Sequence, residues 1–234
     1  MYRISFAAIS AVLLFAVKAS GTIVTYDFET GDDQGWGHKF ADPGGASETF
    51  VVASINGSMQ MAVLRNADFQ EAERVTSDPS DPQYLAMDEA SNAEADYLIS
   101  YDWYVDTSLS PGNYGNFLQL GTYVNTGSGY YAQDFPDAGK DVELNGAQLA
   151  SGGVFSGTIS ETFSEKGFDL PSGQTFFRLG LIINGDGVDA TVYFDNITIQ
   201  PVIPEPTSLA IFAIAIPAAA MRIRRRAVAP NRFG

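Results

Sequence analysis

Between Asp96 and Val105 the side chains alternate without a break. Tyr97, Ile99, Tyr101, Trp103 and Val105 fall on one face, and Ser100, Asp102, Tyr104 and Asp106 on the other. A period of two marks a strand with one dry and one wet side, because successive Cβ atoms of an extended chain point to opposite faces. A helix would scatter these five large apolar groups around its axis. The chain must therefore build a sheet, and a second layer must cover its apolar side.

The flanking sequence repeats the signal. Short β-rich intervals run from Ile23 to Phe28, Phe50 to Ala53, Ser58 to Leu64, Phe117 to Val124, Tyr130 to Gln133, Val142 to Leu144, Gly157 to Phe163, Phe176 to Asn184 and Thr191 to Gln200. Clusters of Gly, Asn, Asp and Pro separate them. Ile55-Asn56-Gly57 is a strong hairpin signal, and Gly185-Asp186-Gly187 is expected to close a final hairpin. The stretch Asn184 to Asp189 lacks the length and terminal Glu of an EF-hand loop and reads as a turn. Asp78-Pro79 and Asp81-Pro82 read as loop. No helical period longer than two turns is evident outside the two ends. The expected fold is all-β, an antiparallel β-sandwich over residues 20–200.

Composition narrows the chemistry. Apolar residues are 45% of the chain and aromatics 12%, enough for a core. There is no Cys and a single His, His38, which excludes disulfides, thiolate sites and a His-rich zinc centre and weighs against a Ser-His-Asp triad. Between Ser20 and Pro204 there are 27 acidic residues against 6 basic ones. Such a surface repels nucleic acid and anionic lipid, and it suits neutral polysaccharide and divalent cations.

The ends have a different character. Arg3 precedes an uncharged stretch from Ile4 to Val17, too short for a spanning helix, so residues 1–19 read as a secretory signal helix cleaved before Ser20. Residues 201–234 form a tripartite tail. Pro204-Glu205-Pro206 is followed by an apolar run from Leu209 to Met221 and by Arg222, Arg224, Arg225 and Arg226. As a short apolar helix the run would span about 20 Å, less than the roughly 30 Å hydrocarbon core, and Pro217 weakens it further. The arginines would stay cytoplasmic and hold the exported protein transiently at the membrane. A plain anchor without processing is the alternative.

The tail resembles the PEP-CTERM sorting signal of bacteria that make extracellular polysaccharide, carried on Pro204, Glu205 and Pro206. It departs from the usual pattern in Pro217 and in the eight residues that follow the arginines. The resemblance implies processing by an exosortase-type enzyme and a destination in the cell envelope, at the surface or in the extracellular matrix.

Two blocks of the body carry a second resemblance. Val24 to Gly31, followed by Gly35-Trp36, and Val192 to Ile199 resemble the opening and closing strands of jelly-roll carbohydrate-binding modules of the galactose-binding-like fold. The resemblance implies that these strands lie side by side and share a structural Ca²⁺. Glu29 and Asp195 stand at the family's carboxylate positions, with Gly31 and Asp32 as further donors. Calcium takes about six to eight hard oxygen ligands. The bland alternative is that Asp195 hydrogen-bonds a turn and Glu29 is solvated.

Sugar sites use aromatic rings as platforms. Tyr104 faces outward among acids, and Tyr114, Tyr123, Tyr130 and Tyr131 lie in or beside the Gly/Asn/Ser-rich region from Pro111 to Gly139. They are candidate ligand contacts, with sandwich packing as the alternative. No catalytic motif stands out, and 28 acidic residues cannot nominate a carboxylate pair. The reading favours a non-enzymatic surface or matrix protein that binds carbohydrate or a partner. The alternatives are a glycan lyase or hydrolase on the same fold and a purely structural component.

Overall fold

The computed structural model describes residues 21–38, 50–55, 57–65, 69–92, 96–109, 117–132, 141–185 and 190–202. The signal segment, Tyr114 and the tail with Pro204, Glu205 and Pro206 lie outside the described residues. Among the described residues twelve strands form two six-stranded sheets in which every pairing is antiparallel. The first sheet holds β1 (Val24–Tyr26), β3 (Phe50–Ile55), β4 (Ser58–Arg65), β6 (Tyr97–Asp106), β10 (Val154–Thr162) and β12 (Ala190–Pro201). Its order is β10-β6-β12-β4-β3, with β1 continuing the β4 side of β12. The second holds β2 (Trp36–His38), β5 (Phe69–Thr76), β7 (Phe117–Thr126), β8 (Gly129–Ala132), β9 (Val142–Asn145) and β11 (Phe177–Gly185), in the order β2-β5-β11-β7-β8 with β9 also on β7. The chain passes repeatedly between the sheets, which is the winding of a jelly roll.

The alternation read from the sequence sets the core. Tyr97, Ile99, Tyr101, Trp103 and Val105 are all buried, and β12 adds Val192, Phe194, Ile197 and Ile199. From the second sheet Phe177, Leu179, Leu181, Ile183, Leu118, Leu120 and Val124 meet them. Each such side chain contributes about 1.5–3 kcal/mol by leaving water. The first and last strands lie side by side, with Val24 opposite Ile199 and Tyr26 opposite Ile197. Ile55 pairs with Ser58, so β3 and β4 form the hairpin that Asn56-Gly57 signals.

Two expectations are corrected. β11 and β12 do not form a hairpin: β11 pairs with β5 and β7 in the second sheet, whereas β12 pairs with β4, β6 and β1 in the first. Both strands carry inward apolar faces, and placing one in each layer buries both. Asp81-Pro82 is not loop but the start of α1 (Pro82–Ser91). Asp81 is its N-cap, accepting from Gln83 N at 2.8 Å, and Pro82 takes the first turn, where no backbone N–H is needed. Its apolar residues form no clean stripe, so the helix carries no periodic signal in the sequence. Gln83, Ala86 and Met87 are buried, and α1 packs against β1, β11 and β12. Gln83 is satisfied there, accepting from Tyr26 Oη at 3.0 Å and donating to Arg74 O at 3.1 Å. A second short helix, α2 (Gly146–Ala150), is opened by an Asn145/Gln148 capping box.

Candidate functional site

The outer face of the first sheet is built by the residues that alternate with the core. Tyr104 on β6 stands opposite Tyr193 on β12 and Ser156 on β10. One register step along, Asp102 lies opposite Asp195 and Thr158. Tyr104, Ser156, Asp102, Asp195 and Thr158 line, with Gln60 of β4, a groove of about 350 Å³ across four strands, and Trp103 reaches it beside Gly157. A Cβ at Gly157 would come within 3.0 Å of Trp103 Nε1, so the glycine leaves room for the indole. The Tyr104 and Tyr193 rings meet edge to face, 5.7 Å apart at 67°, and both are half-buried. Burial, followed by the neighbouring Tyr104 and Asp106, pushes the Tyr193 hydroxyl above its ordinary value. Among the described residues the groove lining contains two carboxylates and no cation.

At one end of this groove the chain bends. A register shift between Asp195 and Thr198 breaks the β12–β6 ladder, and Asn196 takes a φ of 51°. Across the way Phe28, after β1, takes a φ of 54°. Such left-handed conformations are uncommon for residues with a Cβ. Between the two bends, Ser58 Oγ stands 2.6 Å from Glu29 Oε1 and 3.0 Å from Asp195 Oδ2. Met59 N also donates to Glu29 at 3.2 Å, and Asn196 N to Asp195 Oδ1 at 2.8 Å. Asp102 accepts from Asn196 Nδ2 at 2.8 Å and from Thr158 Oγ1. Burial first, then the charges of Glu29 and Asp102, raises the Asp195 carboxyl above its ordinary value against these hydrogen bonds.

The structure thus brings Glu29 and Asp195 to one hydroxyl, whereas the Asp32 carboxylate accepts from Thr30 Oγ1 at 2.7 Å within its own turn. Gly31 closes that turn, donating to Phe28 O at 2.8 Å with a φ of 79°. Among the described residues no three His, Cys, Asp or Glu side chains converge as a metal-binding group. The donors that do meet, two carboxylates and a hydroxyl, are hard oxygens of the kind calcium takes.

Of the other candidate tyrosines, Tyr123, Tyr130 and Tyr131 lie on the second sheet. Tyr123 is fully buried and spread over Gly180, where a Cβ would fall 2.0 Å from its Cε1. Its hydroxyl donates to Glu73 at 2.9 Å and stands 3.3 Å from Glu71 Oε2. In that position the ring is a packing and hydrogen-bonding group, with no face open as a platform. Arg178 Nε lies 3.2 Å from Glu73, and Gln119 accepts from Asn184 Nδ2 at 2.9 Å. Tyr131 is half-buried against the core, and Tyr130 pairs with Asn125 through β8. Sequence reading missed Tyr193, Asp102, Gln60, Ser156 and Thr158. The signal for Tyr193 was available in its phase, since it alternates with the inward Val192 and Phe194 as Tyr104 does with Trp103 and Val105.

Strand order and groove together define a jelly-roll β-sandwich with a partly aromatic, acidic groove on one outer face. No protein-family model and no curated protein matches the sequence. Among solved structures, the chain is similar to a non-crystalline-cellulose-specific carbohydrate-binding module, CBM28, at 14% identity and a TM-score of 0.48, over 74% of this chain and 91% of that one. It is also similar to the CBM22-1 xylan-binding domain of Paenibacillus barcinonensis Xyn10C, at 12% identity and a TM-score of 0.44, over 80% and 98% of the two chains. A third similar structure is Caldicellulosiruptor saccharolyticus CBM27-1 in complex with mannohexaose, at 10% identity and a TM-score of 0.44, over 78% and 99%.

Proposed function

We propose that this protein is a non-catalytic glycan-binding module, exported to the bacterial envelope, surface or matrix, that holds a neutral polysaccharide in the groove of its first sheet. The observation that carries the reading is the half-buried Tyr104–Tyr193 pair, with Tyr104 lining a groove beside Gln60, Asp102, Ser156, Thr158 and Asp195 and no cation among the described lining residues. Rings offer an apolar face to a pyranose, and the amide, hydroxyls and carboxylates take its hydroxyl groups. With two carboxylates and no basic group among its described lining residues, the groove disfavours uronates, phosphates and sulfates. Export and sorting rest on the signal-like start and the PEP-CTERM-like tail, with an exosortase-type enzyme as processing partner.

In this reading a structural Ca²⁺ sits at Glu29, Ser58 and Asp195, with backbone carbonyls and water completing its shell. The ion would offset the repulsion of the two carboxylates and pin one end of the groove. The test is affinity electrophoresis of the full chain in gels containing neutral or anionic polysaccharides. Retardation by a neutral polymer is expected, weakened roughly tenfold in Tyr104→Ala or Tyr193→Ala, because a stacked ring is worth about the 1.4 kcal/mol that a factor of ten represents. Retardation by anionic polymers alone would overturn the assignment.

One observation favours a second reading, hydrolysis by Asp102 and Asp195, since they face each other in the groove and Asp195 is biased toward its protonated form. Against it, Asp195 Oδ1 already accepts from Asn196 N, and Oδ2 lies 3.0 Å from the Ser58 hydroxyl that it shares with Glu29. Release of reducing sugar that disappears in Asp195→Asn would establish it.

A further inference from the structure

A second constellation lies inside the sandwich, apart from the groove. Lys166, in the turn after β10, places Nζ 2.5 Å from Asp141 Oδ1 and 3.0 Å from Glu161 Oε2. The Lys166 and Asp141 side chains are 1% and 0% exposed, and that of Glu161 is 38% exposed. Asp141 immediately precedes β9. Its other oxygen, Oδ2, accepts from Tyr101 Oη at 2.6 Å and from Thr122 Oγ1 at 3.2 Å. Tyr101 belongs to the first sheet and Thr122 to the second, so the carboxyl is held from both layers. A dry Lys–Asp pair is a weak source of stability, because removing two charges from water costs about as much as their attraction returns.

We infer that Lys166 Nζ and Asp141 Cγ condense into an intramolecular isopeptide bond, with Glu161 carrying the proton. The pair first exchanges a proton and becomes a neutral amine and a carboxylic acid. Burial already biases Asp141 that way, pushing its carboxyl above the ordinary value even though the Lys166 charge opposes the shift. The Nζ lone pair attacks Cγ, and the Cγ–Oδ2 π bond opens onto Oδ2, where the Tyr101 and Thr122 hydroxyls steady the developing charge. Glu161 takes a proton from the attacking nitrogen and delivers it to Oδ1. The Cγ–Oδ1 bond breaks, water leaves, and Oδ2 re-forms the carbonyl. An ammonium and a carboxylate become one amide and one water, with no oxidant, cofactor or second substrate. The fixed geometry supplies the effective concentration, and a neutral amide suits a dry site better than two ions. The bond ties the β10 side of the first sheet to β9 of the second, a covalent staple in a chain without cysteine.

The test is a tryptic map of the denatured full chain, needing no variant. Trypsin cuts after Lys140 and Arg178, and after Lys166 only where its amine is free. The expected product is a single peptide, Asp141–Arg178, uncut at Lys166 and lighter than its sequence by one water, ~18 Da. Two separate peptides, 141–166 and 167–178, at full mass would overturn the inference. So would water loss confined to 141–166, the mark of a succinimide at Asp141. Glu161→Gln, folded by its far-UV spectrum, should slow the condensation by about 100-fold and yield the two separate peptides. Undiminished bonding in that variant would remove Glu161 from the mechanism, and Lys166→Arg must show no water loss.

Discussion

Glu29 and Asp195, one at each end of the sandwich sequence, contact the same hydroxyl: Ser58 Oγ lies 2.6 Å from Glu29 and 3.0 Å from Asp195. One hydroxyl has one proton, so it serves only one carboxylate at a time. The other oxygen is left facing a like charge, and Asp102 adds a third carboxylate across the ladder. Like charges directly opposite each other weaken a sheet. Among the described residues no ion pair engages Glu29, Asp102 or Asp195. In the calcium reading proposed above, a divalent cation would offset this repulsion.

Calcium should therefore stabilise the protein. At a hundred times its dissociation constant the gain is about 2.7 kcal/mol, a melting shift on the order of 5–10 °C for a domain of this size. Differential scanning calorimetry after chelation checks it. Asp195→Asn and Glu29→Gln should each remove most of the shift. An equal response to NaCl in both variants would show screening instead.

Gly180 should be intolerant of any side chain. A Cβ there would lie 2.0 Å from the ring of Tyr123, buried on the neighbouring strand. Gly180→Ala should cost about 1–3 kcal/mol by overpacking. Tyr123→Ala in the same background should recover part of that loss, because the two changes share one clash. Additive urea midpoints for the two substitutions would disprove the coupling.

Asp81 should make the helix end acid-sensitive. Burial opposes its ionisation, but the hydrogen bonds from Arg74, at 3.1 and 2.7 Å, and from Gln83 N hold its carboxyl below the ordinary value. A depressed carboxylate stabilises the fold above its unfolded-state value, about pH 4, and that contribution fades as pH falls through the lower folded value. Asp81→Asn, which keeps an N-cap acceptor but loses the charged pair with Arg74, should cost up to about 1 kcal/mol at pH 7, and the gap from wild type should close toward pH 2. Paired denaturation curves at the two pH values measure it.

Glycan binding in the groove should ignore salt. Stacking and neutral hydrogen bonds are not screened, whereas ion pairing is. Affinity for a neutral polymer should change less than twofold between low and about 0.5 M NaCl, a range over which the Debye length falls well below 10 Å. A steep fall with salt, followed by titration calorimetry, would point to an ionic ligand.

The sequence by itself determined the architecture. The phase of Tyr97 to Val105 set which face is dry, and Asn56-Gly57 set one hairpin, because period and turn chemistry act between near neighbours along the chain. It also marked Glu29 and Asp195, since both stand inside recognisable edge blocks. The partition of strands between sheets was decided only in three dimensions: β11 and β12 follow each other yet pair apart, β11 between β5 and β7 and β12 between β4 and β6, so each finds ladder partners on both edges. Helix α1 was decided by its Asp81 cap and its packing against β1, β11 and β12 rather than by a stripe of its own. The groove needed cross-strand register to bring Asp102 to Asp195 and Tyr104 to Tyr193. The Lys166–Asp141–Glu161 cluster needed both layers closed, because side chains from three elements become neighbours only when the core excludes water around them.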